Sequence, residues 1–310
     1  MSSCVEGNMN QKRGYDYMSK FQGVIPPVVT AFDSNRKLDL ERTKEFIRHL
    51  IGKGVSGIFI AGSTGEYTLL SIQERKELIS AGVEAVDGKV PLLAGTGDNS
   101  TATAIELSQY AEKVGADAAT VALPYYPKPT QEGLYEHYKR ISENISIPLM
   151  VYCWPEQHAG VSMTPKIVAR LAEQGAIAGI KDSSAGIDHI TEIIRLVGDR
   201  ISILIGWANK LLPALALGAD GTVCTIGNVI PEEVVAIYDH FQRGDIDKAR
   251  AMQLKILPLI EAVSSDPGGT KEALKLIGES VGPSRLPILD VPDNVRASIK
   301  AELIRLGKFS

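Results

Sequence analysis

A lysine closes the apolar run Ala176–Lys181, AIAGIK, and a tyrosine stands near the end of another, Ile147–Pro155, IPLMVYCWP. An amine and a phenol are the pair that imine chemistry requires. A neutral amine attacks a ketone carbon, and a phenol within reach gives and recovers the protons. Lysine is among the residues least often buried. Desolvation at the end of a core strand lowers its pKa and raises the neutral, nucleophilic fraction. The alternative is a structural ion pair between Lys181 and Asp182 or another acid.

Other residues compete for attention. Gly62-Ser63-Thr64-Gly65-Glu66 follows the run GIFIAG and offers two hydroxyls and several N–H groups to an anion, with two glycines to free the backbone. It also reads as an ordinary turn of small residues. Cys153 and Cys224 lie near strand ends, but no histidine is paired with them in sequence, so small core filler is expected. A metal-dependent mechanism needs several imidazoles or carboxylates at the strand ends. There are five histidines. His49, His137, His189 and His240 fall in helical segments, and only His158 stands near the mouth, so no metal is expected.

The elements that must hold these groups can be read from periodicity. Eight short apolar runs alternate with helical patterns: Gly23–Phe32, Gly57–Gly62, Val90–Gly95, Asp117–Pro124, Ile147–Pro155, Ala176–Lys181, Ile201–Gly206 and Gly221–Gly227. Continuous hydrophobicity over so few residues fits parallel strands buried on both faces. Helix starts are marked by the capping box Ser71-Ile-Gln-Glu74, by Thr164-Pro165 and by Pro231-Glu-Glu. The fold class expected is α/β, a (β/α)8 TIM barrel. A doubly wound open sheet is the rival, but its Gly-rich phosphate loop is missing after the first run. The eighth helix should end near Arg243. Helical patterns at Asp245–Val263, Thr270–Gly278 and Asn294–Leu306 then predict a C-terminal helical extension. The division is thus a polar leader over 1–20, a barrel over 21–243 and the extension over 244–310.

In such barrels the active site lies at the C-terminal ends of the strands. Strand alternation puts Ile177, Gly179 and Lys181 on one side, and Met150 and Tyr152 on one side of the preceding strand. If both sides face inward, amine and phenol meet above adjacent strands.

The bulk numbers exclude some classes. The chain has 310 residues, 44% of them hydrophobic, and a net charge of -4. No basic excess suits nucleic acid. No apolar stretch suits a membrane span. Three cysteines without CxxC spacing cannot form a disulfide framework, and the first twenty residues lack the apolar core of a secretory signal, so a cytoplasmic home is expected.

From about Phe21 to Gly307 the chain resembles the dihydrodipicolinate synthase/N-acetylneuraminate lyase family of Schiff-base aldolases. The resemblance rests on GVIPPVVTAFDSNRKLD, AGSTGEYTLLSIQER, LPYYPKPTQEGLYEHY, VYCWP, GIKDSS and GADGTVCTIGNVIPE. It implies that Lys181 forms the Schiff base with pyruvate and that Tyr152 relays protons. Ser63 and Thr64 would hold the keto acid's carboxylate, and Val223 would line the pyruvate pocket with its backbone. Tyr126 would reach into a neighbouring subunit's site. A homotetramer built as a dimer of dimers, working without a metal, is implied as well.

One motif departs from the family. Synthases that use aspartate semialdehyde carry an arginine after the tyrosine, in a motif like YNVPxRTG. Here the stretch reads Tyr152-Cys-Trp-Pro-Glu-Gln-His-Ala-Gly160. The semialdehyde carboxylate would lose its bidentate partner. Glu156, Gln157 and His158 suit a polyhydroxylated chain instead, so the expected substrate is a 2-keto-3-deoxy sugar acid or related 2-keto acid. The alternatives are 4-hydroxy-tetrahydrodipicolinate synthase itself and a non-catalytic keto-acid-binding protein.

Overall fold

The structure is a computed structural model and describes residues 21–264 and 266–309. The expected leader, 1–20, lies outside the described residues. Eight strands appear where the apolar runs predict them: β1 Gly23–Val24, β2 Ile58–Ile60, β3 Leu92–Gly95, β4 Ala118–Ala122, β5 Leu149–Cys153, β6 Gly179–Asp182, β7 Ser202–Ile205 and β8 Gly221–Thr222. All pair in parallel, in the order β1-β8-β7-β6-β5-β4-β3-β2. A bridge between Pro27 and Phe59 closes the ring. There Phe59 N donates to Pro26 O at 3.0 Å and Val28 N donates to Phe59 O at 2.8 Å. The first run is extended from Gly23 to Phe32 in expectation but pairs regularly over two residues only. Pro26 and Pro27 lack the N–H that a regular ladder needs, so the closure relies on isolated bonds.

The helices are α1 Leu40–Gly52, α2 Ile72–Val86, α3 Thr101–Val114, α4 Gln131–Glu143, α5 Pro165–Glu173, α6 Asp188–Val197, α7 Leu211–Leu217 and α8 Pro231–Gln242. The capping box at Ser71 forms in full, with Ser71 Oγ accepting from Glu74 N and Glu74 accepting from Ser71 N. Pro165 and Pro231 occupy first-turn positions. The Thr164 side chain makes no cap bond, so there the start rests on the proline.

Inside the ring, Ile25, Phe59, Leu93, Ala118, Met150, Leu204 and Val223 pack as one cluster. Strand β6 contributes Gly179 to this layer. A Cβ on Gly179 would stand 2.5 Å from Met150 Sδ, so the missing side chain is what admits the thioether. Gly179→Ala would crowd both the Met150 side chain and the Ser202 carbonyl, 2.7 Å from that Cβ, at a cost of about 1–3 kcal/mol typical of overpacked cores. Met150 and Gly179 face inward. By the two-residue period of a strand, so do Tyr152 and Lys181 one layer above.

Three more helices follow: α9 Ile246–Val263, α10 Pro267–Leu276 and α11 Asp293–Arg305. Helix α9 packs on α8 and α11, and α10 packs on the short turn Thr225–Asn228 that follows β8. That contact carries the start of α10 to the mouth of the barrel. Among the described residues no helix is long and apolar enough to cross a membrane.

Candidate active site

Tyr152 and Lys181 are register partners on β5 and β6. The Lys181 ammonium position lies 3.9 Å from the centroid of the Tyr152 ring and 5.3 Å from that of Phe59. The residue is 5% exposed. Burial brings its amine down to about 7, with only Cys224 acting weakly the other way. Near neutral pH much of the amine is therefore uncharged and able to attack a carbonyl. The Asp182 alternative fails for a geometric reason. Neighbouring residues on a strand face opposite sides, and Asp182 points away from the barrel interior. It meets His189 Nδ1 at 3.2 Å and accepts from Ser184 Oγ at 2.7 Å.

The Tyr152 hydroxyl donates to Ser63 Oγ at 3.3 Å. Burial pushes this phenol well above its ordinary range, so it stays protonated as a donor. The ring packs edge-on against Phe59 and His158. Ser63 thus joins the phenol to the loop after β2. Thr64 Oγ1 meets Thr225 Oγ1 at 2.9 Å, which ties this loop to the turn after β8. Thr30 Oγ1 donates to Gly65 O at 2.6 Å.

The two glycines of this loop serve a different purpose from the one expected. Neither has a positive φ; the left-handed residues are Ala61 and Glu66, at φ 55° and 59°. Gly62 and Gly65 are needed for space. A Cβ would stand 2.7 Å from the Phe59 ring at Gly62 and 2.9 Å from Val28 O at Gly65.

A cavity of about 400 Å3 opens beside Ser63, the hydrogen-bond partner of the phenol; Tyr152 and Lys181 themselves are not among its lining residues. Its walls include Ser63, Thr64, Tyr67, Tyr125, Trp154 and His158, and its roof includes Asp266, Pro267, Pro287 and Ile288 from the C-terminal segment. Gln157 lines it and Glu156 does not, so of the three polar residues expected in this loop two reach the cavity. His158 is buried and its Nδ1 accepts from Trp154 N at 3.3 Å. Burial, with Lys181 adding to it, depresses this imidazole to about 4, so it is neutral at physiological pH and carries its proton on Nε2.

Val223 is buried in the layer beneath, and its N–H donates to Ile205 O at 2.9 Å. Tyr126 is not gathered into this site. It is 79% exposed on the loop after β4, whose backbone is held by Asn99 Oδ1. Cys153 and Cys224 are buried free thiols, and burial pushes both upward, Cys153 to about 12. Both are thus held as protonated thiols within the wall.

Two features escaped the sequence reading. Thr225 could have been found, because it too is a polar residue near the end of an apolar run. The ion pair between Glu66 and Lys271 could not, because nothing local links those positions. Their side chains are 0% and 4% exposed and meet at 2.7 Å.

Residues 20–305 match the Dihydrodipicolinate synthetase family. The chain is 38% identical over 289 residues to the 4-hydroxy-tetrahydrodipicolinate synthase of Syntrophus aciditrophicus, covering 93% of this chain and 99% of that one. It is 40% identical over 270 residues to the synthase of the same name from Geobacter metallireducens, covering 86% and 92%. Among solved structures, dihydrodipicolinate synthase from Thermotoga maritima superposes with a TM-score of 0.90 at 34% identity, over 94% of this chain and 100% of that one. A prophage protein of the dihydrodipicolinic acid synthase family from E. coli K12, solved in complex with pyruvate, gives 0.89 at 32% identity over 94% and 100%.

Proposed function

Because the chain belongs to the dihydrodipicolinate synthetase family, whose members are Schiff-base lyases, we propose that it binds pyruvate covalently through Lys181. The observation that carries this reading is one buried amine, brought down to about 7, lying 3.9 Å from the ring centre of a phenol on the next strand. The amine adds to the ketone carbon of pyruvate. The carbinolamine loses water and leaves a protonated imine. That cation draws electrons from the adjacent methyl, which loses a proton and becomes the enamine carbon. Tyr152, bonded to Ser63, gives and recovers protons at the nascent imine. Ser63 and Thr64 hold the carboxylate and aim the ketone carbon at the amine. The backbone at Val223 lines the pocket. The imine itself is the electron sink, so the reaction needs no metal.

The relatives' names support 4-hydroxy-tetrahydrodipicolinate synthase as the overall activity, with aspartate semialdehyde as second substrate, better than they support a sugar-acid lyase. A second reading rests on the cavity. Among the described residues no lysine or arginine lines it, while Gln157 and His158 do. That lining favours a hydroxylated 2-keto-3-deoxy acid over a second carboxylate. We further propose the barrel and helical extension as two units, 21–243 and 244–310. A cytoplasmic homotetramer is proposed in which exposed Tyr126 reaches a neighbouring subunit.

The test is incubation with pyruvate and borohydride, followed by peptide mapping. A reduced pyruvyl adduct on Lys181 is expected. An unmodified Lys181 at saturating pyruvate would sink the proposal. Turnover with aspartate semialdehyde, set beside pyruvate release from a panel of 2-keto-3-deoxy acids, then separates the two readings.

A further inference from the structure

We propose that the buried Glu66–Lys271 pair is a charge-balancing and positioning device for the carboxylate-holding loop, with Lys271 acting through Glu66 and not on the substrate. The inference rests on the pyruvate-binding reading above. Glu66 closes the loop that holds Ser63 and Thr64, and it lines the same cavity as they do. Its backbone is left-handed, at φ 59°. A non-glycine residue there carries a strain of about 1–2 kcal/mol. The side chain is fully buried and is held from two sides. One oxygen meets Lys271 Nζ at 2.7 Å, and the other accepts from Arg285 N at 2.8 Å.

Lys271 belongs to α10. Besides Glu66, its ammonium donates to Pro283 O at 2.9 Å and lies 4.4 Å from the Phe32 ring centre. The ammonium is thus spent within the wall, and Lys271 is not among the residues that line the cavity of Ser63 and Thr64. The nearby Arg285 guanidinium is engaged too. It binds Glu74, Leu69 O and Arg36 O.

The electrostatic consequence follows from position. An anionic ligand held by Ser63 and Thr64 would stand near Glu66 on the same loop, whose fully buried side chain is shielded from water, so that like charges repel more strongly there than in water. Lys271 cancels that charge. Lys271 also lines a second cavity of about 260 Å3, walled by α10 and by residues of the segment after it such as Pro283 and Asp290. The ion pair is therefore the partition between the two spaces, and it anchors the loop from behind.

Charge balance makes predictions of opposite sign for the two partners. Lys271→Met leaves an uncompensated buried carboxylate beside the incoming one. The pyruvate concentration that half-saturates borohydride trapping at Lys181 should rise about tenfold or more, a change of 1.4 kcal/mol or above. Glu66→Gln leaves a net positive wall, and half-saturation should stay equal or fall. The double variant Glu66→Gln/Lys271→Met is neutral again and should return to within about threefold of the parent. A purely structural bond predicts instead that both single variants weaken pyruvate alike and that the double variant is no better. That pattern, or half-saturation unchanged in Lys271→Met, overturns the inference. Should Lys271→Met fail to fold, the Glu66→Gln and double variants decide the matter: a clear rise in either refutes it. A parent protein that traps no pyruvate at Lys181 refutes the underlying function, a result distinct from any of these.

Discussion

Lys181 and Lys271 are both 5% exposed, yet the chain treats them in opposite ways. Lys271 is given a carboxylate, a backbone carbonyl and an aromatic face. Burial lowers its proton affinity below the ordinary value, and Glu66 offsets that only in part. Lys181 is given two aromatic rings and no carboxylate among the described residues, and its amine falls to about 7. A buried ammonium that is paired holds structure together. A buried amine that is left unpaired discards its proton and becomes reactive. The sheet arranges this difference simply. The nearest acid in sequence, Asp182, faces the other side of β6 and is taken by His189.

The contrast can be broken first at Lys181 itself. Lys181→Met should abolish the pyruvate adduct and all turnover while leaving the melting temperature unchanged or higher, because it removes a desolvated ionisable group. Intact mass after borohydride and a thermal melt check both halves. A marked loss of stability would place Lys181 with Lys271 as a structural residue.

Tyr152→Phe keeps the ring beneath the amine and removes the hydroxyl proposed as the proton relay. A fall of about 10²–10⁴-fold in kcat/KM is expected, as for other lost acid–base groups. The adduct should still form, only slowly. Steady-state rates and the time course of trapping separate the two effects.

The mildest test is pH. The folded-state pKa of Lys181 lies below its unfolded value, so the reactive neutral form is lost as pH falls through about 7. Below that point the initial trapping rate should drop about tenfold per pH unit, the slope of a single protonation. His158 does not interfere, since it titrates near 4. A profile flat from about pH 5 to about pH 8 would show the amine is not depressed.

Much of this site was legible beforehand because a strand has a period of two. Once Lys181 and Tyr152 close neighbouring apolar runs, alternation groups them with Gly179 and Met150, and only the structure shows that this side faces inward. The same rule removes Asp182 from consideration. The broken pairing of the first strand was also visible, in Pro26-Pro27, though the apolar run masked it. The Glu66–Lys271 pair was beyond reach, since its members come from the second βα loop and the tenth helix and only folding joins them. The burial of His158 was hidden for a related reason. It depends on the loop after β5 coiling back so that Gln157 N and His158 N both donate to Trp154 O.

The roof of the cavity comes from Asp266, Pro267, Pro287 and Ile288, all translated after the last strand. A chain that ended at β8 would already carry the amine, the phenol and the hydroxyl loop. It would present an open bowl rather than an enclosed chamber, and Glu66 would lack Lys271 to answer it. Sealing the vessel therefore falls to the part of the polypeptide made last.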